Sequence, residues 1–274
     1  MAGQYFNSFD KAKIYYEKNK GDTNKWLIFL HGFGGDLTAW NNTRNYFHDL
    51  GISTIALDLR GHGLSDRRND KNFYKFENFA KDVSLLLAKE GILNPVIIGH
   101  CFGGMVSIYY EAQFPNSSRG LVLVDTSYKP PFFSSNFVTK AFFDRMINLF
   151  IKIMPDIKKV GRADYSKFVG SSDLNPRRIL TDILHTSLKT YLQISKQLVK
   201  LDAKKLLDKI LVPTLVIEGE NDSIFPPNIA RSLSKRIKNS QLDLIEGANH
   251  IIVLNNPKEL GEAIEEFLKK IKFI

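Results

Sequence analysis

GHCFGG, residues 99–104, is the stretch on which the fold turns. The run Pro95, Val96, Ile97, Ile98 before it reads as a short buried strand, and Met105, Val106, Ile108 and Tyr109 after it read as the apolar side of a helix. A side chain presented on so tight a strand-to-helix corner needs small neighbours, because its own backbone is strained and the helix must pass close to the strand. Gly99 and Gly103 flank Cys101 in that way. Cys101 is the single cysteine of the chain, which excludes an internal disulfide and a multi-cysteine metal site and leaves packing or reactivity. A helix N-terminus stabilises both a thiolate and a developing oxyanion, so Cys101 reads as a nucleophile.

Outward from this corner, short β-rich runs alternate with helix-like stretches. The runs are WLIFL (26–30), STIAL (53–57), PVIIG (95–99), LVLVD (121–125), PTLVIEG (213–219) and LDLIEG (242–247). That alternation predicts an α/β fold, a mostly parallel sheet with helices on both faces. Helices are expected near 38–50, 75–90, 102–114 and 257–271, the last opened by Asn256 as cap and Pro257 at its first position. QYFNSF and AKIYYEKN predict an antiparallel hairpin at the sheet edge. The rhythm breaks over 128–210, where two long stretches, NFVTKAFFDRMINLFIKIM and NPRRILTDILHTSLKTYLQISKQLVKL, keep a helical period with no strand between them. The expected organisation is therefore a core of 1–127 and 211–274 with a helical cap inserted at 128–210.

HGFGG (31–35) follows the third strand and DLRGHGLSD (58–66) the fourth, ahead of the corner after the fifth, and EGANHIIVL (246–254) follows the last. With the corner at Cys101, their order resembles the α/β-hydrolase family over nearly the full length. The departure is cysteine where that family usually carries serine; dienelactone hydrolases and polyhydroxyalkanoate synthases make the same substitution. The resemblance implies a histidine in the loop after the last strand, which selects His250 as the base, and an acid three residues beyond Gly219, which selects Asp222. Asp125, after the sixth strand, is the rival acid. It also implies an oxyanion hole from the backbone N–H groups of Phe33 and Phe102. His31, Gly32 and His100 are expected at the floor of the pocket, with His62 orienting a loop. Asp58 and Arg60 read as turn residues satisfied locally.

Composition sets the outer bounds. The 274 residues are 43% hydrophobic, enough for a sizeable core. No stretch reaches the ~18 apolar residues of a membrane helix, and the start lacks a basic-then-apolar leader pattern, so a cytoplasmic location is expected. Residues 129–210 carry 16 Lys and Arg against 7 Asp and no Glu, which accounts for the whole formal charge of +9. No nucleic-acid recognition module accompanies that charge, so a small-molecule acyl substrate is the expected partner. Phe142, Met146 and Phe150 belong to an apolar stripe expected to roof its pocket.

Together these readings predict cleavage of an ester, thioester or lactone through a Cys101 acyl-enzyme, with no metal or organic cofactor implied. A thioester intermediate serves acyl transfer as well, so an acyltransferase or polyester-synthase-like enzyme is an alternative. A ligand-binding protein on the same fold is another, although binding alone needs neither the histidine nor the acid.

Overall fold

A computed structural model describes residues 2–70, 72–130, 137–153, 156 and 161–274, without the side chains of residues 2 and 137–144. Eight strands form one sheet: β1 (Ala2–Asn7), β2 (Lys13–Asn19), β3 (Trp26–Leu30), β4 (Ser53–Leu57), β5 (Val96–His100), β6 (Gly120–Val124), β7 (Thr214–Gly219) and β8 (Ser240–Ile245), in the order β1-β2-β4-β3-β5-β6-β7-β8. β1 and β2 form the expected edge hairpin, and β2 meets β4 antiparallel. Every pairing from β4 through β3 and on to β8 is parallel. The strands β3 to β7 are buried at every position, as unbroken apolar runs demand when helices cover both faces.

One face packs α2 (Phe76–Glu90), α3 (Phe102–Gln113) and α8 (Pro227–Arg236) through Phe79, Val83, Phe102, Val106 and Leu233. The other packs α1 (Asn41–Asp49), the single turn α9 (Ile252–Asn255) and α10 (Pro257–Lys270) through Phe47, Ile252, Leu260 and Phe267. Pro257 opens α10 as expected, but the Asn256 side chain makes no capping bond. Among the described residues no helix is long and apolar enough to cross a membrane.

Between β6 and β7 lie α4 (Phe137–Ile153), α5 (Pro176–Thr186), α6 (Leu188–Val199) and the short α7 (Lys204–Leu207). The continuous helical period expected from Pro176 to Leu201 is interrupted. Ser187 has φ 78°, and its Oγ accepts the Thr190 N–H that starts α6. Arg67 compensates the end of α5 by donating to the carbonyls of Thr186 (2.8 Å) and His185 (3.0 Å).

Arg162 ties this region to the sheet. Its guanidinium lies 3.0 Å from Asp58 Oδ2, 3.4 Å from Asp36 Oδ1 and 3.9 Å from Glu17 Oε1, over the Tyr15 ring. Asp58 also accepts the N–H groups of Leu37 and Leu64, which fixes the turns after β3 and β4. Burial nevertheless raises the Asp58 carboxyl to about 6. Arg162→Met should therefore destabilise the protein, toward the lower end of the ~3–5 kcal/mol found for orphaning a buried charge, since Arg162 remains partly exposed. An acid with a raised folded pKa binds its proton more tightly in the native state, so its contribution is lost as pH rises from ~4 through 6. The deficit of the variant, measured by urea unfolding, is expected to be larger at pH 7.5 than at pH 5; an equal deficit would remove the three acids from the explanation.

Candidate active site

Cys101 sits between the last residue of β5 and the first of α3 with φ 50° and ψ −110°, a backbone that costs a non-glycine residue energy. The corner is held from both sides. Cys101 N–H donates to the Val124 carbonyl at 2.9 Å, and Thr126 Oγ1 donates to the Cys101 carbonyl at 2.6 Å. Gly103 permits the close approach of α3: a Cβ there would come within 2.2 Å of the Leu30 carbonyl oxygen. Cys101 is partly exposed, at the carboxyl end of the sheet.

Two loops bring polar groups to the same place. After β7, Asp222 accepts the N–H groups of Ile224 (2.6 Å) and Phe225 (2.8 Å) on Oδ1 and bonds His250 Nδ1 at 2.6 Å through Oδ2. Nδ1–H donation to Asp222 leaves Nε2 outside that bond, and Cys101 is a second group whose field acts on the ring. Burial opposes a charge on His250, but Cys101 and Asp222 outweigh it and hold the imidazole well above its ordinary range. The loops are braced by Asp173, from the segment before α5. Its Oδ1 accepts His250 N–H at 2.9 Å, and its Oδ2 accepts both Ser223 N–H (2.8 Å) and Ser223 Oγ–H (2.7 Å). Asp173 belongs to no motif, and only its place just ahead of the Asn175-Pro176 cap signal marks it in the sequence. Asp125 makes no bond to His250; its Oδ1 accepts Gly219 N–H at 2.9 Å.

The HGFGG loop lies opposite. Among the described residues neither Phe33 N–H nor Phe102 N–H meets a protein acceptor, so both donors remain available. Gly32 packs so tightly that a Cβ would fall 2.8 Å from His100 Nδ1 and 3.5 Å from Cys101 Cβ. The next residue is fixed at both ends: Gly34 N–H donates to His62 Nε2 at 3.2 Å, and its carbonyl accepts Thr186 Oγ1–H at 2.9 Å. Tyr191 of α6 stacks on Phe33 with ring centroids 4.1 Å apart. Thr186 and Tyr191, which no sequence motif distinguishes, thereby help to shape this loop.

The three histidines around the loop are buried and neutral. His31, expected at the pocket floor, is wholly enclosed, with Nδ1 donating to Gly32 O and Nε2 accepting Leu59 N–H. Burial takes it down to about 4. His62 falls well below its usual value through burial and the neighbouring His31. His100 falls to about 3 through burial and then His250, and its Nε2–H donates to the His250 carbonyl at 2.9 Å. Of the expected roof, Met146 is half-buried and Phe150 is 43% exposed, while the side chain of Phe142 lies outside the described residues.

Two groups, His100/Asp125/His250 and Asp125/Glu218/Asp222, hold potential ligand atoms within 4.8 Å of one another. His100 Nε2, His250 Nδ1, Asp125 Oδ1 and both Asp222 oxygens are already engaged, and an ion seated among them would compete with the Asp222–His250 bond.

Residues 25–257 fit the sequence profile of the alpha/beta hydrolase fold. The chain belongs to that family. Among curated relatives, the AB hydrolase superfamily protein YisY of Bacillus subtilis (strain 168) is 27% identical over 246 residues, covering 88% of this chain and 90% of its own. An esterase from Thermogutta terrifontis superposes with a TM-score of 0.78 at 22% identity, covering 99% of both chains. An esterase from Exiguobacterium antarcticum gives 0.77 at 21% identity, over 98% of this chain and all of its own. At these identities the structural likeness speaks for the alpha/beta hydrolase fold.

Proposed function

We propose that this alpha/beta hydrolase cleaves carboxylic esters, thioesters or lactones through a Cys101 acyl-enzyme. The observation that carries the reading is the 2.6 Å bond from His250 to Asp222, on an imidazole whose charge Cys101, at its strained corner, also favours. In this reading the Cys101 sulfur attacks the carbonyl carbon while the proton of the thiol passes to His250 Nε2. Asp222 holds the Nδ1–H tautomer and stabilises the imidazolium. Phe33 and Phe102 N–H groups receive the oxyanion, and His250 then protonates the leaving oxygen or sulfur. In the second half-reaction His250 takes a proton from water, which attacks the thioester and releases the acid and the thiol. The segment 128–210 acts as a cap over the acyl group, and its excess of basic residues favours substrates with a remote anionic group. Both structural neighbours cited above are described as esterases, which supports the same class here.

The nucleophile being sulfur favours a second reading, acyl transfer to an acceptor other than water, because the intermediate is a thioester. A panel of short-to-long acyl esters, thioesters and lactones separates the two when read for burst and steady state. Hydrolysis predicts a burst followed by turnover. A burst that turns over only when an alcohol or thiol acceptor is added would favour transfer. Absence of both burst and turnover across the panel would reject an acyl-enzyme altogether.

A further inference from the structure

Three carboxyl groups meet beside His250. Glu218, on β7, is fully enclosed, with Asp125 beyond β6 and Asp222 beyond β7 as its neighbours. Oxygens of all three lie within 4.8 Å of one another. Asp222 accepts two backbone N–H groups on Oδ1 and His250 on Oδ2, which leaves Oδ2 room for one further donor, and Asp125 Oδ1 is occupied by Gly219 N–H. Asp125 Oδ2 and both oxygens of Glu218 are buried and meet no donor among the described residues.

Two considerations forbid three full negative charges there. Orphaned buried acceptors are costly, and like charges so close in a desolvated site cannot all ionise. Among the described residues no lysine or arginine pairs with any of the three. The titratable groups that face them are His250, His100 from β5, whose Nε2 is 3.9 Å from Asp125 Oδ2, and Asp173.

We infer that Glu218 carries a proton and donates it as a hydrogen bond toward Asp222, which makes Glu218 a positioning residue that sets how strongly Asp222 holds His250. One proton turns two orphaned acceptors into a donor and an acceptor, and leaves the negative charge where the imidazole needs it. The electrostatics agree in direction. Burial and the two neighbouring carboxylates push Glu218 far above the ordinary carboxylate range, whereas Asp222, despite its burial, is held below that range by His250 and Glu218.

The inference rests on Asp222 being the acid of the proposed site, so its test uses readouts independent of turnover. His250 is titrated by nitrogen-15 NMR in the Cys101→Ala protein, where no thiol titrates beside it, with Glu218, Glu218→Gln and Glu218→Met. Infrared difference spectra at neutral pH look for the carbonyl stretch of a protonated carboxyl. The band should be present with Glu218 and missing from Glu218→Gln. Glu218→Met should raise the His250 midpoint by about half a unit or more, because Asp222 loses a donor and grips the imidazolium harder. Glu218→Gln, whose amide still donates, should return the midpoint toward that of the parent.

An ionised Glu218 predicts the opposite sign. Both substitutions would then remove a negative charge and lower the midpoint together, with no carboxyl band, and the inference would be overturned. An unchanged midpoint in both variants overturns it too, as does a stoichiometric metal ion that is lost with Glu218→Gln. If Glu218→Met fails to fold, the band and the Glu218→Gln titration decide the matter. The expected band and shifts in a protein that turns over no ester would instead sink the hydrolase reading and leave Glu218 as described.

Discussion

Cys101→Ala is expected to abolish ester turnover, and Cys101→Ser to retain a measurable rate. The alanine variant keeps the oxyanion donors and His250 but has nothing to acylate, so the loss should approach the ~10⁶-fold found when a triad loses its nucleophile. Serine fits the same corner, where Val124 and Thr126 hold the backbone rather than the side chain, and His250 can take a proton from a hydroxyl as from a thiol. Initial rates on matched esters and thioesters provide the measurement. A site shaped for sulfur predicts faster turnover with cysteine, whereas a serine form faster on every substrate would mark Cys101 as a replacement in a serine site. Turnover undiminished in Cys101→Ala would move the chemistry elsewhere.

Nearly as large an effect is expected from Asp222→Asn, about 10⁴-fold in kcat, because an amide favours the wrong imidazole tautomer and cannot stabilise the imidazolium. Asp125→Asn should keep most of the activity. Asp125 does not touch His250, and the bond it does make, to Gly219 N–H, needs only an oxygen that asparagine also supplies. Steady-state kcat for the two variants decides between the acids. If Asp125→Asn proves the more damaging, the acid belongs after β6.

The sheet was readable because its central strands are short, almost wholly apolar and buried throughout, runs too short for a buried helix. The helix Pro227–Arg236 carries no comparable signal. Ala230 and Leu233 are its buried residues, and ten residues hold too few turns for a stripe to stand out. The break at Ser187 was hidden for another reason: Arg67, more than a hundred positions away, satisfies the carbonyls that end α5. Motif residues could be picked out by order along the chain, and the structure joins His250 to Asp222. Residues that work by bracing backbone leave no such trace. Asp173 and Thr186 act on N–H and carbonyl groups, so any short polar side chain at those points looks the same until the chain is folded.

Asp173 and Arg162 also bear on how this protein could be changed. Both lie in the stretch between β6 and β7, which the sheet could in principle do without, yet one clasps the loops of Asp222 and His250 and the other pairs with the buried Asp36 and Asp58. Transplanting that stretch from a relative with different tastes would therefore exchange more than a cover. Unless a carboxylate returns at 173 and a guanidinium at 162, the chimera would arrive with unclasped loops and a cluster of uncompensated acids. The stretch and the alignment of the loops it holds come as one piece, so the unit to graft is the stretch together with the sheet ends it holds.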